Sequence, residues 1–142
     1  MTQQQTTGGS LLMDCLIGLG AHKGFGVPGE SYLAVLDAMY DRADKFELIL
    51  CRHEGGAAYM AEAWGKLTGT PGICFVTRGP GATNASIGIH TAMQNSSPML
   101  VFVGQVGTDM RGREAFQEID YTHYFGKVAK WVCEIDDADR IP

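Results

Sequence analysis

The chain has 142 residues, 45% hydrophobic and 19% charged, with 11 Lys+Arg against 16 Asp+Glu and a net charge of -5. That length allows one domain with a sizeable core, and the ordinary hydrophobic content excludes disorder for its body. An acidic balance with a pI near 5.2 argues against nucleic acid as a partner, which would require a basic stripe. No apolar run approaches the ~20 residues that span a bilayer, and the polar start MTQQQTTGGS is no secretory signal, so no membrane partner is expected.

Glycine is abundant, 19 residues, with no collagen period, which suits tight turns and close backbone approaches. The four cysteines, Cys15, Cys51, Cys74 and Cys133, lie far apart without a C-x-x-C pair. They read as reduced, mostly buried thiols of a cytoplasmic protein, and no metal site is expected from them.

In chain order, Leu11, Leu12, Cys15, Leu16 and Leu19 share a helical face, with Ser10 as cap and Gly20 as stop. Ala21 to Phe25 is a short, weak strand. After the turn Gly26-Val27-Pro28-Gly29, Leu33, Leu36, Met39 and Tyr40 mark a second helix. Phe46 to Cys51 (FELILC) has the pattern of a strand buried on both faces. His53 to Leu67 is a helix with Ala57, Met60, Ala61, Trp64 and Leu67 toward the core. Ile73 to Thr77 is a strand, Arg78 to Gly81 a loop, and Ala82 to Asn95 a small-residue helix able to pack close to a sheet. Met99 to Val103 is a buried strand, and Val128 to Ile135 is expected to be one more. The alternation predicts an α/β fold, a doubly wound parallel sheet covered by helices on both faces. Asp136, Asp137 and Asp139 are helix-starting residues close to the last residue, Pro142. The expected organisation is a polar tail over 1–10 and one domain over 11–142, truncated at its C-terminus.

Gly24 to Gly29 satisfies G-x-G-x-x-G literally, but no hydrophobic strand precedes it and the second strand ends Cys51-Arg52 without the acid that would hold a ribose. A dinucleotide site is therefore disfavoured. The loop Thr77 to Asn84 (TRGPGATN) has the glycines of a phosphate cradle without the G-K-[ST] ending of a nucleotide-hydrolysing loop. Glu54 is the most informative acid. It opens the helix after the second strand, where open parallel sheets place ligands, and Gly55, Gly56, Ala57 and Ala58 leave room for a large group. A carboxylate there complements the helix dipole, or shares a proton with a ligand base. Glu47 and Glu62 read as ordinary solvated positions. His53, His90 and His123 read as structural or exposed, and Phe116-Gln117-Glu118 places an aromatic and an amide at the ligand-bearing end.

Four segments in order, FGVPG (Phe25 to Gly29), CRHEGGAAYMAEAWGKLTG (Cys51 to Gly69), VTRGPGATN (Val76 to Asn84) and AFQEID (Ala115 to Asp120), closely resemble one family. It is the pyrimidine-binding N-terminal domain of thiamine-diphosphate-dependent enzymes of the acetolactate synthase type, and the resemblance runs from about Leu11 to Pro142. It implies a carboligase or decarboxylase acting on small 2-oxo acids, with thiamine diphosphate as cofactor. In the family, the glutamate matching Glu54 hydrogen-bonds a ring nitrogen of the aminopyrimidine, and proton sharing there activates the thiazolium carbon. Positions matching Val27, Pro28, Thr77, Pro80 and Asn84 line the aminopyrimidine pocket, so the TRGPGATN loop would contact the pyrimidine and leave the diphosphate alone. Gln117 would lie close to the reacting end, as a catalytic residue beside Glu54, with Phe116 next to it.

The resemblance also implies Mg2+ and the diphosphate held by a separate C-terminal domain with a GDG…N segment, absent from these 142 residues. FAD, found in some acetolactate synthases, stays open. The site forms between two subunits of a homodimer or homotetramer, so the chain alone would hold half a site and be inactive. Two departures, Glu30 for a glycine after the Pro-Gly turn and Arg78 for the serine before Gly-Pro-Gly, would alter which substrate is tolerated. An alternative reading is a stand-alone assembly subunit pairing with a separate diphosphate-binding chain.

Overall fold

A computed structural model describes residues 6–142; positions 1–5 of the expected tail lie outside the described residues. Gly72–Val76 forms strand β3, and every one of its residues is buried. A strand covered on both faces must sit inside a sheet. β1 (Lys23–Gly26), β2 (Glu47–Leu50) and β4 (Met99–Val103) complete it, all parallel, in the order β2-β1-β3-β4.

The two-residue period of β3 divides the core. Ile73 and Phe75 join Met13, Leu16, Tyr32, Met39 and Phe46 on one face. Cys74 and Val76 join Phe25, Ala57, Ala61 and Ala85 on the other. Helices α1 (Gly8–Gly18) and α2 (Leu33–Tyr40) pack together in the first layer, and α3 (Glu54–Thr68) and α4 (Pro80–Asn95) in the second. The predicted doubly wound sheet is therefore present. Small residues let α3 and α4 approach: a Cβ added at Gly88 would stand 2.5 Å from that of Ala58. A short helix, α5 (Tyr121–Phe125), closes the second layer.

Several local expectations are corrected. Helix α1 begins at Gly8 under a Thr7 cap, whose Oγ1 accepts from Ser10 N, so Ser10 lies inside the helix. Thr7 has the extended backbone a cap requires. Strand β2 is at the sheet edge instead of being buried on both faces, which leaves Leu50 67% exposed. A 3-10 turn over Glu30–Tyr32 delays α2, so its core side is Ala38 and Met39 while Leu33 and Tyr40 face outward. On α3 the small residues Ala57, Ala58, Ala61 and Gly65 turn inward, and Met60 and Leu67 are exposed. Of the thiols only Cys74 is fully buried; Cys133 is exposed and the other two are intermediate.

The segment Val128 to Ile135 is not a strand. Val128 N and Ala129 N both donate to Phe125 O, so the chain turns there, and Val128, Ala129 and Val132 reach the core at turn-like spacing with no ladder. The acidic cluster after it does start a turn: Asp137 caps a 3-10 segment, Ala138–Arg140. Among the described residues no helix is long and apolar enough to cross a membrane.

Glu62, expected to be solvated, is buried. Its Oε1 accepts from Ser97 Oγ at 2.6 Å and Asn95 Nδ2 at 3.1 Å, tying α3 to the turn between α4 and β4. Those two donors hold its carboxyl below the usual range. Glu62→Ala leaves both donors without that acceptor and is expected to lower stability by about 1–3 kcal/mol, read from urea denaturation. An unchanged midpoint would show that water replaces the carboxylate at no loss. Glu47, by contrast, is exposed and pairs with Lys23 across β1 and β2.

Candidate functional site

In the order β2-β1-β3-β4, the chain leaves β1 toward one edge and leaves β3 toward the other. The switch point is therefore between the C-terminal ends of β1 and β3, where such sheets bind ligands. Val27, Pro28 and Gly29 follow β1, and Thr77 to Gly79 follow β3. The two loops touch: a Cβ at Gly29 would lie 2.5 Å from Thr77 Cβ. Gly24 and Gly26, the first two glycines of the literal G-x-G-x-x-G, are residues of β1 itself. A side chain at Gly26 would meet Phe75 O at 2.6 Å, so that glycine serves sheet packing and not a phosphate turn.

Glu54 is the first residue of α3, under a His53 cap whose Nδ1 accepts from Gly55 N at 3.0 Å. This gives His53 a structural role, as expected. Helix α3 crosses back over β1 and β3, which carries half-buried Glu54 to the start of α4. Asn84 Nδ2 there donates to Glu54 Oε2 at 2.9 Å. The other oxygen, Oε1, would stand 3.4 Å from a Cβ at Gly81. The carboxylate is thus oriented through one oxygen, and a glycine keeps the space by the other clear. Pro80 is the first residue of α4, where its missing N–H is no loss.

The post-strand loops are tied by residues to which the sequence reading assigned no role. Ser31 Oγ lies 2.8 Å from Thr77 Oγ1 and accepts from Arg78 N at 3.1 Å. Tyr32 Oη donates to Val27 O at 2.6 Å, and burial, more than the nearby Cys74 and Glu54, pushes its phenol up to about 12. Its proton is therefore held throughout the physiological range, and Val27 keeps its donor. Neither residue sits in a motif: their roles arise from strand ends that meet only in the fold.

Gln117 reaches the same cluster from beyond β4. A Cβ at Gly79 would lie 2.7 Å from Gln117 Cβ, and Arg78 Nε donates to Phe116 O at 3.1 Å. Gly79 N donates to Tyr121 Oη at 2.7 Å. Glu118 closes the loop, accepting from Gly112 N and from Ala115 N, and these backbone donors hold its carboxyl below the usual range. The structure thus gathers Val27, Thr77, Glu54 and Gln117, partly buried, at one end of the sheet, with Pro28, Pro80 and Asn84 exposed there.

Asp120 caps α5 through His123 N, with Thr122 and the exposed His123 ring as further partners. The His123 backbone, first, and these side chains hold its carboxyl at about 2, below the ordinary 3.8. A depressed folded value stabilises above the unfolded one and is lost as pH falls through the folded one. Thermal midpoints are therefore expected to fall between pH 3.8 and about 2, and Asp120→Asn, which keeps an acceptor, to flatten that decline. An identical slope in the variant would remove Asp120 from the acid response.

The sheet end, where the Asn84-oriented Glu54 carboxylate opens a helix, has the layout of a ligand-binding α/β domain. A family model described as "Thiamine pyrophosphate enzyme, N-terminal TPP binding domain" matches residues 6–124. The chain belongs to this family. It is 39% identical to an acetolactate synthase of Bacillus subtilis (strain 168) over 95% of this chain and 23% of that one. It is 40% identical to an acetolactate synthase large subunit of Lactococcus lactis subsp. lactis (strain IL1403), over 99% of this chain and 24% of that one. An acetolactate synthase catalytic subunit, mitochondrial, of Aspergillus candidus is 40% identical over 96% of this chain and 20% of its own. The chain spans about a fifth to a quarter of the length of these relatives.

Proposed function

We propose that this chain forms the aminopyrimidine-binding part of a thiamine-diphosphate-dependent carboligase or decarboxylase acting on small 2-oxo acids, acetolactate synthase-like in its chemistry. The observation that carries the reading is the Glu54–Asn84 pair at the head of α3, 2.9 Å apart, beside the clear space over Gly81. The donor set fits the cofactor's ring: a carboxylate with one oxygen held by Asn84 offers the other to a ring N–H. When bound, thiamine diphosphate supplies an electron sink for the carbon left after loss of CO2.

The chain's own residues bind, orient and move a proton. Glu54 accepts the ring N–H and shares its proton, and Asn84 fixes the carboxylate plane. Thr77, Val27 and Pro28 form the wall at the switch point, with Tyr32 holding the Val27 carbonyl. Gly81 and Pro80 leave the ring a close approach, and the Gln117 amide serves the reacting end. In this reading a further domain holds Mg2+ and the diphosphate, a second subunit completes the site in a homodimer or homotetramer, FAD stays open, and the location is cytoplasmic. The stand-alone assembly subunit is not favoured, because the relatives carry this region within one longer polypeptide.

The test is CO2 release from pyruvate and a series of other 2-oxo acids by the complete protein, with thiamine diphosphate and Mg2+ added or withheld. Release that requires the cofactor is expected. No cofactor-dependent consumption of any 2-oxo acid would overturn the proposal.

A further inference from the structure

Gln117 has φ +65, the left-handed region, which a residue with a side chain adopts only at a cost. Such a conformation persists only where its surroundings impose it. The turn Ala115–Glu118, closed by Glu118 N donating to Ala115 O at 2.9 Å, puts Gln117 at the position that takes a positive φ, and the Arg78–Gly79 segment meets it on each side of the bond that φ describes. Arg78 Nε donates to Phe116 O at 3.1 Å, which fixes the peptide plane carrying Gln117 N. On the other side, Gly79 leaves the space that Gln117 Cβ occupies, since an added Cβ there would stand 2.7 Å from it. Arg78 is itself anchored, because its backbone N donates to Ser31 Oγ at 3.1 Å. The far end of the turn is closed separately, by Glu118 on Gly112 N and Ala115 N.

We infer that Arg78 is a positioning residue that holds Gln117 in its left-handed conformation and so aims the amide at the reacting end of the site. The inference rests on the functional reading above for the role of Gln117. A serine at this position would be too short to reach Phe116 O, whereas a lysine ammonium spans a similar distance. Arg78→Lys should therefore replace the arginine in part, and Arg78→Met, similar in length but without a donor, should not.

The experiment uses the complete protein and reads two quantities. Hydrogen exchange of the peptide spanning 112–118 is expected to accelerate by about tenfold in Arg78→Met and to return toward wild type in Arg78→Lys. With pyruvate, thiamine diphosphate and Mg2+, Arg78→Met is expected to lower kcat by roughly 10- to 100-fold with little change in the half-saturating cofactor concentration. In a Gln117→Ala background, Arg78→Met should lower kcat no further, since both act through one side chain. Unchanged exchange in Arg78→Met overturns the inference whatever the activity, and so do multiplicative effects in the double variant. If wild type consumes no 2-oxo acid, the functional reading fails, and exchange alone then decides whether Arg78 holds the turn.

Discussion

Glu54→Gln in the complete enzyme is expected to lower turnover by about 10²- to 10⁴-fold, the range over which a positioned acid or base contributes. Glutamine keeps the shape of the side chain, and its amide oxygen can still accept from Asn84 Nδ2, which now donates to Oε2 at 2.9 Å. What it loses is the ability to take and return a proton. Folding should be unaffected, because Glu54 is half-buried and belongs to neither core cluster. Turnover at saturating thiamine diphosphate, with circular dichroism melts alongside, separates the two properties. Near-normal turnover would remove Glu54 from proton transfer, and a lowered melting temperature would assign the loss to structure.

Gly79→Ala should be a strongly damaging small substitution near the site. Gly79 has φ 60 and ψ -112, a backbone conformation that side chains rarely adopt, and it caps α4 there. A Cβ would also meet Gln117 Cβ at 2.7 Å and Gln117 O at 2.9 Å. Backbone strain and overpacking each cost about 1–3 kcal/mol, so a loss of roughly 3 kcal/mol is expected in urea denaturation, together with a displaced Gln117 and lower turnover. Gly56→Ala is the control. Gly56 lies inside α3 with nothing within 4 Å of an added Cβ, and alanine there should gain roughly 0.5–1 kcal/mol. Equal effects at the two glycines would refute the packing argument for Gly79.

Both expectations depend on how the ligand-bearing loops are held together, and that part of the molecule was the least legible in the sequence. Glu54 is legible because it opens a helix of glycines and alanines directly after a strand, where open parallel sheets place ligands. Gly79 stood within a visible Gly-Pro-Gly loop, but nothing local indicated that Gln117, 38 positions later, would press against it. Ser31, Tyr32, Arg78, Glu118 and Tyr121 tie this end through partners that are neighbours only because β1, β3 and the loop beyond β4 end side by side.

By itself the sequence determined the order of elements from α1 to β4 and the parallel sheet, because these follow from local signals: apolar runs, helical periodicity, caps and glycine loops. It misplaced what depends on the neighbour an element finds. FELILC reads as a doubly covered strand, yet β2 is an edge, since strand order is decided by crossover packing and not by the strand's own residues. Glu62 reads as solvated, yet it is buried because Asn95 and Ser97 arrive to hydrogen-bond it. Only the tertiary structure decided these, because burial and hydrogen-bond pairing belong to two segments at once, and local patterns describe one.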